Sequence, residues 1–200
     1  MAQISLELIQ QLRDKTGVGM MDCKKALIEA DGNIEKAIEL LRKKGAAVAE
    51  KRSGNATKQG LIHAYIHAGA QLGVLVEIDC ETDFVARTQD IQNFAKDVAM
   101  HIAAARPRCV NPEDLDAAFL EKEKEILAEQ LKAAGKPAQM IDKILAGKLE
   151  KLYGEVCLMR QPFIKNDKIT IDDLLKELMA KMGEKITIRR FARFEVGSQD

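Results

Sequence analysis

Four carboxylates fall at alternate positions near the middle of the chain: Glu77, Asp79, Glu81 and Asp83. Alternate residues of an extended strand share a face, so this row could hold a divalent cation or supply a carboxylate pair for acid–base work. The competing reading is a charged strand face in water, the commoner use of such a row. His63 and His67 also share a strand face, but a metal site needs a third convergent ligand and no nearby motif supplies one. His101 lies between apolar helix positions and reads as structural. Gly17-Val18-Gly19 offers a GxG, yet residue 22 is Asp and no strand precedes it, so a turn between helices is favoured over a nucleotide loop. Cys23, Cys80, Cys109 and Cys157 are scattered without a CxxC pair and read as free thiols. Arg189, Arg190 and Arg193 could meet phosphates, although arginines so close to many acids are more often in surface ion pairs. Glu121 to Glu125 alternate in sign along one helix and read as a solvated face.

Phe84 is out of character with its surroundings. It follows Asp83 inside the polar segment Glu81–Asp90, where an aromatic residue is not expected. By pattern alone the favoured reading turns it back into the core, since loop aromatics usually find one. The alternative is a displayed apolar anchor beside a charge, worth roughly 1.5–3 kcal/mol in a partner's pocket.

The elements that must position these residues follow from periodicity. Ser5 can cap a first helix whose face is Leu8, Ile9 and Leu12, and Thr16-Gly17-Val18-Gly19 breaks it. Met20, Cys23, Leu27 and Ala30 form one stripe of a second helix. Asn33 can cap a third, which buries Ile34, Ala37, Ile38 and Leu41 and is expected to end at Gly45. Residues 46–58 lack an apolar stripe and read as a linker, helical at its start and loose around Ser53-Gly54-Asn55. Leu61–His67 and Val74–Cys80 alternate as two strands of a hairpin. A helix with Ile91, Phe94, Ala95, Val98, Ile102 and Ala105 buried ends at Pro107. Asn111-Pro112 starts a helix carrying Leu120, Leu127 and Leu131. Gly135-Lys136-Pro137 separates it from a second, giving an antiparallel helical hairpin over about 112–153. An irregular stretch through Gln161-Pro162-Phe163 precedes a helix capped by Thr170, with Leu174, Leu178 and Met182 inward. Ile186–Glu195 is a last strand. The fold class is α+β: residues 1–45 a detached three-helix module, 46–58 a linker, and 59–200 a core with a three-stranded antiparallel sheet covered by helices.

Composition excludes several classes. Lys+Arg and Asp+Glu are equal at 31 each over 200 residues, so no basic excess argues for nucleic acid. There is no Trp, and aromatics are 4%, which gives little surface for stacking bases. The start, MAQISLELIQ, has neither a basic stretch nor an apolar run of signal-peptide type, and no apolar run reaches a membrane span. The expectation is a cytoplasmic protein with no cofactor and no bound metal.

At this point longer runs match a known family. Leu12-Arg13-Asp14-Lys15-Thr16-Gly17-Val18-Gly19-Met20-Met21-Asp22-Cys23-Lys24-Lys25-Ala26-Leu27 resembles the N-terminal signature of translation elongation factor Ts. So does Lys51-Arg52-Ser53-Gly54-Asn55, and Thr82-Asp83-Phe84-Val85-Ala86 resembles that family's central loop motif. Gly135-Lys136-Pro137, Gly147-Lys148-Leu149, Gln161-Pro162-Phe163 and Arg193-Phe194-Glu195-Val196-Gly197 extend the likeness in order along the chain. The resemblance implies a guanine-nucleotide exchange factor for elongation factor Tu, not an enzyme. It implies that the three-helix module is ubiquitin-associated-like and docks on the partner's GTPase domain through Arg13, Met20 and Met21. It implies that the loop of Thr82, Asp83, Phe84 and Val85 enters near the partner's magnesium and phosphate site and helps dislodge the metal. Long members of the family carry two related core halves, whereas this chain has one hairpin and one Thr-Asp-Phe-Val loop. It resembles a shortened type expected to form a homodimer. Two rivals stand beside this reading: a metal-dependent hydrolase built on the four alternating carboxylates, and an adaptor acting through the helical module alone.

Overall fold

The computed structural model describes residues 4–135 and 137–198. Met1–Gln3 of the N-terminal stretch and Lys136 of the Gly135-Lys136-Pro137 break lie outside them. The N-terminal helices are α1 (Leu6–Thr16), α2 (Met20–Glu29) and α3 (Ile34–Lys51). Local chemistry sets their ends. Ser5 accepts from the Leu8 amide at 3.2 Å and Asn33 from the Lys36 amide at 3.0 Å, each satisfying an orphan donor of a first turn. Gly17 closes α1 in the left-handed region at φ 67°, its N–H on the Arg13 carbonyl. Ile9, Leu12, Val18, Cys23, Ala26, Leu27, Ala30, Ala37 and Leu41 form the buried cluster of the module.

Two details differ from the sequence reading here. Met20 stands out of the apolar stripe and is exposed. The third helix does not end at Gly45 but runs six residues further, to Lys51. Gly45 is there for close approach: a Cβ would sit 2.9 Å from Ala180 Cβ and 3.1 Å from the Lys176 carbonyl oxygen. A glycine that admits a neighbouring backbone looks in sequence like a helix stop.

The strands β1 (Gln59–Ile66), β2 (Leu72–Cys80) and β5 (Ile186–Glu195) make a three-stranded antiparallel sheet in the order β1-β2-β5. Val74, Val76, Ile78 and Cys80 of β2 are buried, as their alternation requires. A one-turn helix α4 (Asp83–Ala86) and the long α5 (Gln89–Ala105) follow β2. The helical hairpin is α6 (Ala117–Ala133) and α7 (Ala138–Val156). Asn111-Pro112 opens only a 3-10 turn, and α6 starts later, where Asp116 accepts from the Phe119 amide at 2.8 Å. The stretch after α7 is more regular than expected: β3 (Pro162–Phe163) pairs with β4 (Asn166–Thr170), and α8 (Ile171–Met182) follows. In α8 the buried side chains are Ile171, Leu175, Leu178 and Met179, so Leu175 rather than Leu174 faces inward.

The chain divides into two compact units: residues 1–62, 78–95 and 173–187 in one, and 63–77, 96–172 and 188–200 in the other. The first holds the three N-terminal helices, α4 and most of α8. Arg42 of α3 pairs with Glu177 of α8 at 2.9 Å, and the Lys181 side chain of α8 lies over Gly17. The second holds the helical hairpin, whose feet are tied by backbone bonds from Leu158 to Cys109 and from Met159 to Val110. There the Cys109 and Cys157 sulfurs lie 3.5 Å apart as free thiols, and burial pushes the Cys109 thiol up to about 12. Such a thiol is not a nucleophile at neutral pH.

His101 is fully buried in the second unit, within a closed polar network. The Gln161 amide nitrogen donates to the Ala105 and Glu155 carbonyls, which turns its oxygen toward His101 Nε2 at 2.9 Å. Nε2 therefore carries the proton, and Nδ1 accepts from the Ile164 amide at 3.3 Å. Burial holds the imidazole pKa below its ordinary 6.5. A lowered folded-state pKa makes the unfolded chain the better proton acceptor. This contribution is complete above pH 6.5 and is lost as pH falls below it. The stability of the wild type to urea is expected to fall as pH is lowered below 6.5. His101→Asn is expected to cost roughly 1–3 kcal/mol at pH 8 and to flatten that slope; an unchanged slope in the variant would remove the assignment.

Candidate functional site

Thr82 begins the site. Its extended backbone (φ −125°, ψ 154°) turns the chain out of β2 into the single turn Asp83–Ala86, and its side chain caps that turn by accepting from the Val85 amide. The next cap is Thr88, which donates to the Val85 carbonyl at 2.8 Å and accepts from the Ile91 amide at 3.4 Å, starting α5. Two threonine caps six residues apart leave the turn between them no freedom to slide along the chain.

Within the turn, alternate fates are assigned to neighbouring side chains. Val85 is 8% exposed, whereas Phe84 is 82% exposed. The reading that turned Phe84 into the core is therefore overturned: its neighbour occupies the inward position. Asp83 pairs with Arg87 one turn on, at 3.0 Å, with both side chains largely in water. This pair contributes little to stability.

The carboxylate row does not converge. Glu77 turns to Arg190 at 2.5 Å, Glu81 to Arg52 at 2.9 Å, and Asp83 to Arg87. Among the described residues no group of three or more His, Cys, Asp or Glu is placed to hold a metal ion. Glu81 is held from several sides: the Lys185 amide, then Arg52 and Asn55, keep its carboxyl below the ordinary range. Arg193 pairs with Glu195 at 2.9 Å, so two of the three arginines weighed for phosphate are in ion pairs.

Arg13, Met20 and Met21 lie around the Thr16–Gly19 turn of the helical module, Arg13 in the last turn of α1 and the methionines in the first turn of α2. Met20 is 37% and Met21 65% exposed, and Arg13 is exposed. Sequence reasoning missed the residues that hold the central turn from far along the chain. Glu184 is the main one: the Thr82 amide donates to it at 3.1 Å and the Thr82 hydroxyl at 2.7 Å. Nothing in the local pattern of Gly183-Glu184-Lys185 marks it.

Three N-terminal helices followed by a three-stranded antiparallel sheet and further helices are the fold of a translation elongation factor of the Ts class. The chain belongs to the elongation factor Ts family. Residues 6–198 match the family described as elongation factor TS. The chain is 55% identical over 194 residues to elongation factor Ts of Carboxydothermus hydrogenoformans (97% of this chain, 89% of that protein). It is 55% identical over 194 residues to that of Caldanaerobacter subterraneus (97% of each) and 54% over 195 to that of Desulfotalea psychrophila (98% and 99%). No helix among the described residues is long and apolar enough to cross a membrane.

The opposite burial of adjacent residues gives a stability test. Phe84→Ala is expected to change the unfolding free energy by less than about 0.5 kcal/mol, as an exposed position should. Val85→Ala is expected to cost about 1.5–3 kcal/mol, as loss of a buried valine should. Equal costs in urea unfolding would contradict the geometry.

Proposed function

We propose that this chain is the guanine-nucleotide exchange factor of elongation factor Tu and promotes GDP release during translation elongation. It acts by binding and catalyses no chemical step of its own. The observation that carries this is the display of Phe84, 82% exposed in a turn pinned at both ends, in a chain of the elongation factor Ts family. The turn Thr82-Asp83-Phe84-Val85 enters beside the partner's magnesium and phosphate site. Phe84 wedges between partner elements, Asp83 leaves Arg87 and disturbs the metal's surroundings, and the metal is dislodged. Releasing an exposed ion pair costs little.

Residues 1–45 act as the docking module, 46–58, helical as far as Lys51, as its connection to the core, and 59–200 as the core with its hairpin at about 112–153. Arg13 supplies a fixed charge and Met20 and Met21 an adaptable apolar contact to the partner's GTPase domain. The thermodynamics need no catalytic group. The factor must bind the nucleotide-free partner better than the GDP-bound one, and each ~1.4 kcal/mol of that difference weakens GDP tenfold. The setting is the cytoplasm, with neither nucleic acid nor a membrane as direct partner.

Release of labelled GDP from elongation factor Tu is the test. The chain is expected to accelerate release strongly, and Phe84→Ala or Asp83→Ala to lose most of the effect. An inactive wild type would sink the exchange reading. Full activity in Phe84→Ala would sink the role of the turn while leaving the family intact, and activity in the helical module alone would favour the adaptor.

The active form is a homodimer binding two partner molecules. What supports this is the sheet face within the second unit, where Ile66, Leu75, Phe194 and Val196 line an open apolar groove. Exposed apolar surface of this kind marks an interface. Light scattering at micromolar concentration is expected to give a dimer mass, and Leu75→Glu with Phe194→Glu a monomer. A wild-type monomer would count decisively against it.

A further inference from the structure

The Thr82–Val85 turn is short and its aromatic is in solvent, so something outside it must fix the direction in which Phe84 points. The contacts of its first residue supply that. Thr82 gives both of its donors to one carboxylate, that of Glu184, with the amide on one oxygen at 3.1 Å and the hydroxyl on the other at 2.7 Å. The two atoms of a planar carboxylate meeting two donors of one residue fix orientation as well as distance. Because the same hydroxyl also receives the Val85 amide, the grip on Thr82 is passed directly to the turn that carries Phe84.

The neighbouring residues repeat the contact in reverse. The Lys185 amide donates to Glu81 at 2.6 Å, so side chain meets backbone in both directions between 81–82 and 184–185. A third segment closes over this pair. Arg52 and Asn55 donate to Glu81 at 2.9 Å, and the Lys185 ammonium donates to the Ser53 and Asn55 carbonyls at 2.5 and 2.9 Å. The Arg52–Asn55 segment thus seals the far side of the clasp.

We infer that Glu184 is the positioning residue of the exchange turn: its two-point grip on Thr82 sets where Phe84 is presented, without touching the partner. This rests on the exchange reading above and deepens it. A contact a residue or two removed from the working atom is enough, since a misplacement of about 1 Å can cost about 100-fold in rate.

The experiment is GDP release from elongation factor Tu, titrated with the full-length factor to separate maximal rate from half-saturating concentration. Glu184→Ala is expected to lower the maximal rate about 10- to 100-fold while half-saturation moves much less, because the docking module is untouched. Glu184→Gln keeps one acceptor oxygen and is expected to fall between, so a poorly folded alanine variant does not leave the question open. Added to Phe84→Ala, Glu184→Ala is expected to have no further effect. A merely structural role predicts additive losses and a raised half-saturation. Wild-type rates in Glu184→Ala and Glu184→Gln, or additivity with Phe84→Ala, would overturn the inference. No acceleration by the wild type would instead overturn the exchange reading.

Discussion

An aromatic side chain left in water forgoes roughly 1.5–3 kcal/mol of burial, and here a neighbour held in the inward position takes that place. That constraint organises the centre of this protein. Val85 takes the inward position, the caps of Thr82 and Thr88 fix the turn at either end, and Glu184 fixes Thr82. The neutral caps contribute about 0.5–1.5 kcal/mol each and the bonds to the Glu184 carboxylate ~1.5–3 kcal/mol. They act together at three points of one short segment, Thr82, Val85 and Thr88, on either side of Phe84.

The same logic explains the distribution of charge. Glu77, Asp79, Glu81 and Asp83 suggest a cation site only if they point together. Instead Glu81 is enclosed by an amide, a guanidinium and a carboxamide, and Asp83 is left to one exposed arginine. The enclosed acid serves structure and the loosely held one is free to exchange partners. Burial and neighbours, not residue type, divide these roles.

Much of this was legible in the sequence. The helix caps at Ser5 and Asn33, the buried face of β2 and the span of β5 all follow from local chemistry and short periodicity. What failed were features decided by distant partners. Gly45 looked like a stop because the close packing of α8 against it lies more than 130 residues away in sequence. The β3–β4 pair was unseen because a two-residue strand has no period to read. Phe84 was ambiguous by pattern alone, and the bond that holds the first residue of its turn, from Thr82 to Glu184, joins residues 102 apart. The family likeness, carried by ordered motifs, marked the turn but not what holds it.

On the exchange mechanism proposed above, an anchor displayed before contact has a consequence for differential affinity. If Phe84 had to be ordered on contact, part of the binding free energy would go into fixing the turn, and the difference between the partner's two states would shrink. Ordering it beforehand, within the folded factor, moves that cost to the synthesis and folding of the chain, where it is met once. On the proposed mechanism the favourable contacts are then available for discriminating between the GDP-bound and the nucleotide-free partner. On this view the long reach of the clasp is useful in itself. Tying the residues before the turn to the start of β5 and to the end of α3 makes its position depend on the folded unit and not on the turn alone.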